Sequence, residues 1–214
     1  MKKTLAIILS LLSISLFLNA QNLRLSILAN PQISWLTPDI ENISPSGNII
    51  GINTGIGMDI FFAENYAFST GIKINNIGGS LLYNDSISIS SEGIVSMARN
   101  IEYKTQYLSV PIGLKLKTVE IGYTTIWVNP GITPMFKLKA QAYFDDESES
   151  QNVLEEIGLI NINYFIEAGI EYSLGGNTAL VAGLGYYSGF MDITNHVEDK
   201  ITTGSIGLVL GILF

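Results

Sequence analysis

Residues 202–214 read TTGSIGLVLGILF, and the parity of that stretch decides the fold. Ile206, Leu208, Leu210, Ile212 and Phe214 fall on one side of a period of two. Thr203, Ser205, Gly207 and Gly211 fall on the other. One apolar face and one small or polar face, repeating every second residue, make a strand and not a helix.

The same signature recurs upstream. Leu23, Leu25, Ile27, Ala29, Ile33 and Trp35 share a face opposite Arg24, Ser26, Asn30, Gln32 and Ser34. A Pro-, Ser- and Asn-rich loop is expected over 37–47. Ile50, Ile52, Ile56, Met58, Ile60 and Phe62 then oppose Gly51, Asn53, Gly55, Gly57 and Asp59. A turn at Ala63-Glu64-Asn65 leads to Tyr66, Phe68, Thr70, Ile72 and Ile74, with Lys73 opposite, and a long polar connection is expected over 78–100. The run YLSVPIGLKLK, Tyr107–Lys117, alternates throughout, with Leu108, Val110, Ile112, Leu114 and Leu116 against Tyr107, Ser109, Gly113, Lys115 and Lys117. After a short link, residues 127–143 form a strand whose first half, with Pro130, Gly131 and Pro134, is expected to carry a bulge. Ile160, Ile162, Tyr164, Ile166, Ile170 and Tyr172 oppose Asn161, Asn163, Glu167 and Glu171. A Gly175-Gly176-Asn177 turn then precedes Leu180, Ala182, Leu184 and Tyr186.

These runs amount to about eight strands whose connections alternate long and short. That rhythm predicts an all-β, eight-stranded antiparallel up-and-down barrel over residues 21–214. Residues 1–20 read as a cleaved signal peptide: Met1-Lys2-Lys3 is a positive start, Leu5 to Leu18 an apolar run, and Asn19-Ala20 a cleavage site. A spanning helix needs roughly 20 apolar residues, and the run is shorter and interrupted by serines. The chain has no cysteine, which excludes disulfides, thiolate metal sites and a lipid-bearing cysteine. A net charge of −8 argues against nucleic acid as a partner.

Alternation alone does not say which face is outside, because a soluble barrel would turn its apolar face inward. Three features favour a membrane. The polar face is rich in glycine, which suits the cramped interior of an eight-stranded barrel. Charged residues make up only 14% of the chain, too few to coat a soluble surface. Aromatics gather toward strand ends in two expected girdles: Trp35, Tyr103, Tyr107, Tyr143, Tyr187 and Phe190 at the loop end, and Phe61, Phe62, Tyr66, Phe68, Tyr172 and Phe214 at the turn end.

YLSVPIGLKLK, the following Asn129-Pro130-Gly131, the Asn19-Ala20-Gln21 junction and the terminal Phe214 resemble the PorT-like outer-membrane β-barrel family. The resemblance spans residues 21–214. It implies an outer-membrane location, with Phe214 as the membrane-insertion signal, and for the family's namesake a link to protein secretion and gliding. It supplies no catalytic residues.

With the polar face inward, Arg24, Lys73, Lys115 and Lys117 share a narrow interior with Asp59, Glu167 and Glu171 and are expected to pair. A pore is disfavoured because eight strands enclose too little space. The acidic run Asp145, Asp146, Glu147 and Glu149 lacks the glycine turn and ligand spacing of a calcium loop and reads as solvated. His196, near Ser188, Glu198 and Asp199, would be the base of a lipid A-modifying enzyme, but a solvated loop histidine is commoner. A ligand site at the loop mouth, where Tyr83, Tyr103 and Tyr143 would cluster, is the other alternative. The leading expectation is a non-enzymatic, monomeric structural or interaction protein of the envelope, without cofactor or metal. It would contact outer-membrane lipid, lipopolysaccharide and an envelope protein.

Overall fold

A computed structural model of the chain describes residues 22–39, 42–83, 87–89, 93–95, 99–144, 151–153, 157–194 and 200–214. The signal segment, the acidic run 145–150 and His196 lie outside the described residues.

Eight long strands form one antiparallel ring. They are β1 (Leu23–Pro38), β2 (Ile43–Ala63), β3 (Tyr66–Tyr83), β4 (Arg99–Ser109 and Ile112–Lys117), β5 (Thr124–Phe144), β6 (Ile160–Gly175), β7 (Thr178–Gly189) and β8 (Ile201–Leu213). Each pairs with its sequence neighbour, and β8 returns to β1 with Ile33 opposite Ile206 and Ile27 opposite Ile212. Leu25 and Phe214 exchange backbone N–H···O bonds of 3.0 and 2.9 Å, so the last residue helps seal the ring. Closure matters because hydrocarbon offers no partner for an open strand edge. A two-stranded hairpin (Ile87–Ile89 with Gly93–Val95) lies between β3 and β4, and Gln151–Asn152 pairs with β5.

The apolar parity faces outward. Ile27, Ile56 and Ile72 are register neighbours on β1, β2 and β3, each close to 60% exposed. Leu184, Leu208, Ile166, Ile170 and Ile132 continue the belt around the ring. Such a surface is unfavourable in water and suited to lipid. The short turns behave as the sequence predicts. Gly175 and Gly176 take φ of 105° and 60°, a left-handed geometry in which glycine is unstrained.

The structure corrects four expectations. Residues 37–47 are mostly strand, since β1 runs to Pro38 and β2 begins at Ile43. Likewise β3 continues through Tyr83 and β4 starts at Arg99, so the connection is shorter than residues 78–100. Composition misled here: Ser, Asn, Pro and Gly are tolerated where a strand rises past the lipid edge. In β5 the extra residue is Leu138, between the pairs Gln106–Lys139 and Tyr107–Lys137, and not in the Pro-containing half. That bulge switches the inward parity from Thr133 and Met135 to Ala140, Ala142 and Phe144.

The fourth correction concerns the aromatics and the loop-end interior. Tyr103, Tyr107 and Tyr187 are buried inside and Phe61 faces Lys117, so none of the four belongs to a girdle. Phe62, Tyr66, Phe68, Tyr172 and Phe214 do face outward at the turn end, as do Tyr143 and Phe190 at the loop end. The loop-end interior is apolar, not polar. Leu36, Ile43, Ile77, Leu81, Ile101 and Phe144 form a cluster there with Val153, Ile157 and Ile193 from the connections. Strands β2–β5 are long enough to rise beyond a membrane that needs only about ten residues per strand, and above the lipid their inner faces pack as a soluble core would.

Close approach at this level requires glycine. A Cβ on Gly79 would sit 2.7 Å from the Leu36 backbone nitrogen and 3.1 Å from the Trp35 carbonyl carbon. Gly79→Ala is expected to cost roughly 1–3 kcal/mol through backbone displacement. Urea unfolding in lipid vesicles would measure it, and an unchanged midpoint would show that β1 and β3 can separate without loss.

Candidate functional site

Below the apolar cap the interior is a charged layer, and its placement follows from parity. Arg24 on β1, Asp59 on β2, Lys73 on β3, Lys115 and Lys117 on β4, and Glu167 and Glu171 on β6 all point inward. Glu171 is the hub. Its Oε2 accepts from Arg24 Nη1 at 3.2 Å and Lys117 Nζ at 2.5 Å, and its Oε1 lies 2.7 Å from Lys115 Nζ. Lys115 also donates to Asp59 Oδ2 at 2.7 Å and sits 5.2 Å from the Trp127 ring centre. One layer toward the loops, Lys73 Nζ lies 3.7 Å from Glu167 Oε1. Glu167 further accepts from the Tyr187 hydroxyl at 2.7 Å and from Asn129 Nδ2 at 3.2 Å.

The structure brings all seven charges named from sequence into this layer: Arg24, Asp59, Lys115, Lys117 and Glu171 in one cluster, with Lys73 and Glu167 paired above it. Sequence reasoning missed Tyr187, Asn129 and Trp127. The signal for Tyr187 was present: Leu180, Ala182, Leu184 and Tyr186 face outward, so residue 187 must face in. Asn129 and Trp127 sit in the segment whose alternation prolines obscure.

Amide and hydroxyl groups occupy the zone between charges and cap. Gln32 Nε2 donates to Asn75 Oδ1 at 2.6 Å, and Ser34 Oγ donates to the Gly78 carbonyl while accepting from its N–H, both at 2.9 Å. The cap itself closes on a Tyr83–Tyr103 hydroxyl pair 3.1 Å apart. Tyr143 does not join them; its ring lies outside, under Lys104 Nζ at 4.4 Å. Of the tyrosine cluster anticipated at the loop mouth, the Tyr83–Tyr103 pair forms and Tyr143 stays apart.

Among the described residues, voids of about 40 and 10 Å³ lie inside the barrel, both bordered by Lys73 and Glu167. The larger admits about three waters and the smaller one at most. At the turn end a wider funnel of about 440 Å³ opens between Arg24, Phe61, Phe62, Glu64, Lys117 and Asn177, where Arg24 and Lys117 present the near side of the Glu171 cluster. Four cations thus face three carboxylates across a lumen obstructed at two heights. The arrangement can hold the ring rigid and exclude ions. Among the described residues no group of three or more His, Asp or Glu is placed to hold a metal.

Among solved structures the chain is similar to several outer membrane proteins of distant sequence. Neisserial surface protein A shares 10% identity over 88% of this chain and 95% of its own, with a TM-score of 0.49. OprG from Pseudomonas aeruginosa shares 10% over 90% and 94%, at 0.48. The outer membrane protease OmpT from Escherichia coli shares 10% over 92% and 97%, at 0.43. These identities are too low to carry an activity from one chain to another. No curated protein gave a sequence match. The model of the outer membrane protein beta-barrel domain matches residues 19–195. The chain belongs to that family, and its place is the outer membrane.

Proposed function

We propose that this protein is a closed, non-enzymatic barrel that acts as a structural and interaction component of the envelope, working through its outer face and rims. The observation that carries this reading is the double obstruction of the lumen: the Glu171-centred ion cluster toward the turns and the Leu36–Leu81–Phe144 cluster toward the loops. A conduit would need one connected polar path, and the apolar cap interrupts it. The apolar belt encircles the ring, which supports a monomer bathed in lipid on all sides. The resemblance of YLSVPIGLKLK to the PorT-like family supports an envelope protein partner connected with secretion.

Conductance in a planar bilayer tests the sealed lumen. The expected record is flat at moderate voltage, and steady open levels of large conductance would overturn the reading. The interaction role is tested by an impermeant crosslinker on intact cells, with the cysteine-free chain carrying one cysteine at Leu159, an exposed loop-end position. A discrete heavier adduct is expected. Monomer labelling alone would leave a free-standing barrel without a partner at that rim.

A further inference from the structure

One basic patch on the outer wall has no part in sealing the lumen. Of the chain's eleven Lys and Arg, four are in the interior cluster; Lys104 and Lys139 lie instead on the outward face of the loop-side half of β4 and β5. The register fixes their depth. Ile74, Leu108 and Phe136 are paired neighbours that form an apolar outward row. The next outward row toward the loops is Asn76, Gln106 and Lys139, and Lys104 paired with Gln141 follows. Lipid-facing character therefore ends, and positive charge begins, within one step along these strands.

The wall is also indented here. Pairing between β2 and β3 lapses from Asn48 to Asn53, where β2 carries an additional residue and Ile50 stands 84% exposed. Asn76 Nδ2 fills the lapse by donating to the Ile52 carbonyl at 2.9 Å, and Gln106 Nε2 donates to Asn76 Oδ1 at 3.0 Å. The result is a groove of about 210 Å³ running from Ile50 across Asn76 and Gln106 to Lys104 and Lys139. Lys104 is oriented by Glu102 at 2.6 Å and by the Tyr143 ring. Lys139 is exposed and has no ion-pair or hydrogen-bond partner among the described residues. Lys137 is committed elsewhere, donating to the Ile157 carbonyl.

We propose that this groove binds the phosphorylated sugar headgroup of the outer leaflet's glycolipid, lipid A, with Lys104 and Lys139 closing on one phosphate. The two are diagonal neighbours across the β4–β5 ladder, about 7–8 Å apart at the backbone, a gap that lysine side chains close easily. The amides of Gln106 and Gln141 beside them match sugar hydroxyls, which a simple phospholipid headgroup offers less of. The Ile74–Leu108–Phe136 row continues the surface downward as a track for acyl chains. On a chain of net charge −8, two lysines aimed at the lipid boundary favour an anionic lipid over a protein of like acidity. The inference rests on the outer-membrane placement but not on the sealed lumen, so failure of one leaves the other standing.

The test uses the full-length protein in a neutral detergent, titrated with bisphosphorylated lipid A and followed by native mass spectrometry. Dephosphorylated lipid A and phosphatidylglycerol are titrated in parallel. Bisphosphorylated lipid A should give a discrete one-to-one adduct, weakened about tenfold in K104Q/K139Q, the loss of two charge-assisted contacts at a partly exposed site. Lys200→Gln, on an exposed residue away from the patch, should bind as wild type. Equal binding by the double variant overturns the site. Equal binding of dephosphorylated lipid A overturns phosphate recognition, and equal binding of phosphatidylglycerol overturns the glycolipid assignment. Heat-modified mobility on gels verifies folding; should the double variant misfold, Lys139→Gln alone must still weaken the adduct severalfold.

Discussion

Replacing Glu171 by glutamine is expected to cost roughly 3–5 kcal/mol of stability, the penalty for leaving buried charges without their counter-ion. The size follows from the number of cations it serves. Arg24, Lys115 and Lys117 all converge on this one carboxylate, whose side chain is 3% exposed. Lys115 would keep Asp59, but Lys117 would keep no carboxylate within the cluster, and a glutamine amide would turn N–H groups toward it. Asp59→Asn should cost less, because its one ion-pair partner among the described residues, Lys115, retains Glu171. Urea unfolding in lipid vesicles provides the measurement, and Trp127, beside Lys115, provides a fluorescence reporter at the site. A Lys117→Met, Glu171→Gln double variant should recover part of the loss, since Arg24, 27% exposed in its side chain, can turn to water in the funnel. If the single and double variants unfold alike, the effect is packing and not charge. If Glu171→Gln stays within about 1 kcal/mol of wild type, the cluster is not what holds β1, β4 and β6 together.

The legibility of this cluster has a simple origin. Strand parity is a strict period of two, so a charge at Arg24, Asp59, Lys115 or Glu171 could be assigned to the inner face from its neighbours alone. Inside a ring of eight strands, inward charges have nowhere to go except toward one another. The same parity failed wherever a residue was added. Leu138 shifts the phase of β5, and nothing in the local composition distinguishes it from its neighbours. The lapse between Asn48 and Asn53 was invisible for the same reason, since it depends on the partner strand. Tyr103 and Tyr107 were assigned to a girdle because aromatics near strand ends usually are. They pack inward because they share the parity of Ser109 and Lys115, which here outweighs the tendency of aromatics to sit at the interface. The boundary between membrane and head is a property of depth, and depth is not written in a two-residue repeat.

That boundary also explains how one chain combines two kinds of core. Within the belt the inner face is polar and the outer face apolar, the reverse of a soluble barrel. At the loop end, Ile77, Leu81 and Ile101 place the apolar residues inside, as water demands on the other side. The zone of Gln32, Asn75, Asn76, Ser34 and Gln106 lies where the two regimes meet. Amide side chains serve there because they bond to backbone groups that the interrupted β2–β3 ladder leaves without ladder partners, at a depth where water is scarce.

Ile56→Arg is the substitution that tests depth directly, and it should destabilise the barrel by about 2–4 kcal/mol, the cost of a cation near the bilayer midplane. Ile56 faces outward between Ile27 and Ile72, three isoleucines with no polar group among their side chains to share the charge. Arginine there must snorkel past several apolar residues in either direction to reach a headgroup. Ile50→Arg on the same strand and the same face is the matched comparison, expected at about 0–1 kcal/mol because Ile50 lies at the loop-side edge of the belt. Both residues are outward and well exposed, so a purely soluble protein would treat the two substitutions alike and tolerate both. Unfolding in vesicles separates the cases. A large penalty at 56 with a small one at 50 fixes the upper lipid boundary between them, the interval that holds the row of Asn76, Gln106 and Lys139. Equal penalties at both positions would move the boundary toward the loops and immerse Lys139 in hydrocarbon, where an exposed, unpaired lysine has no physical justification.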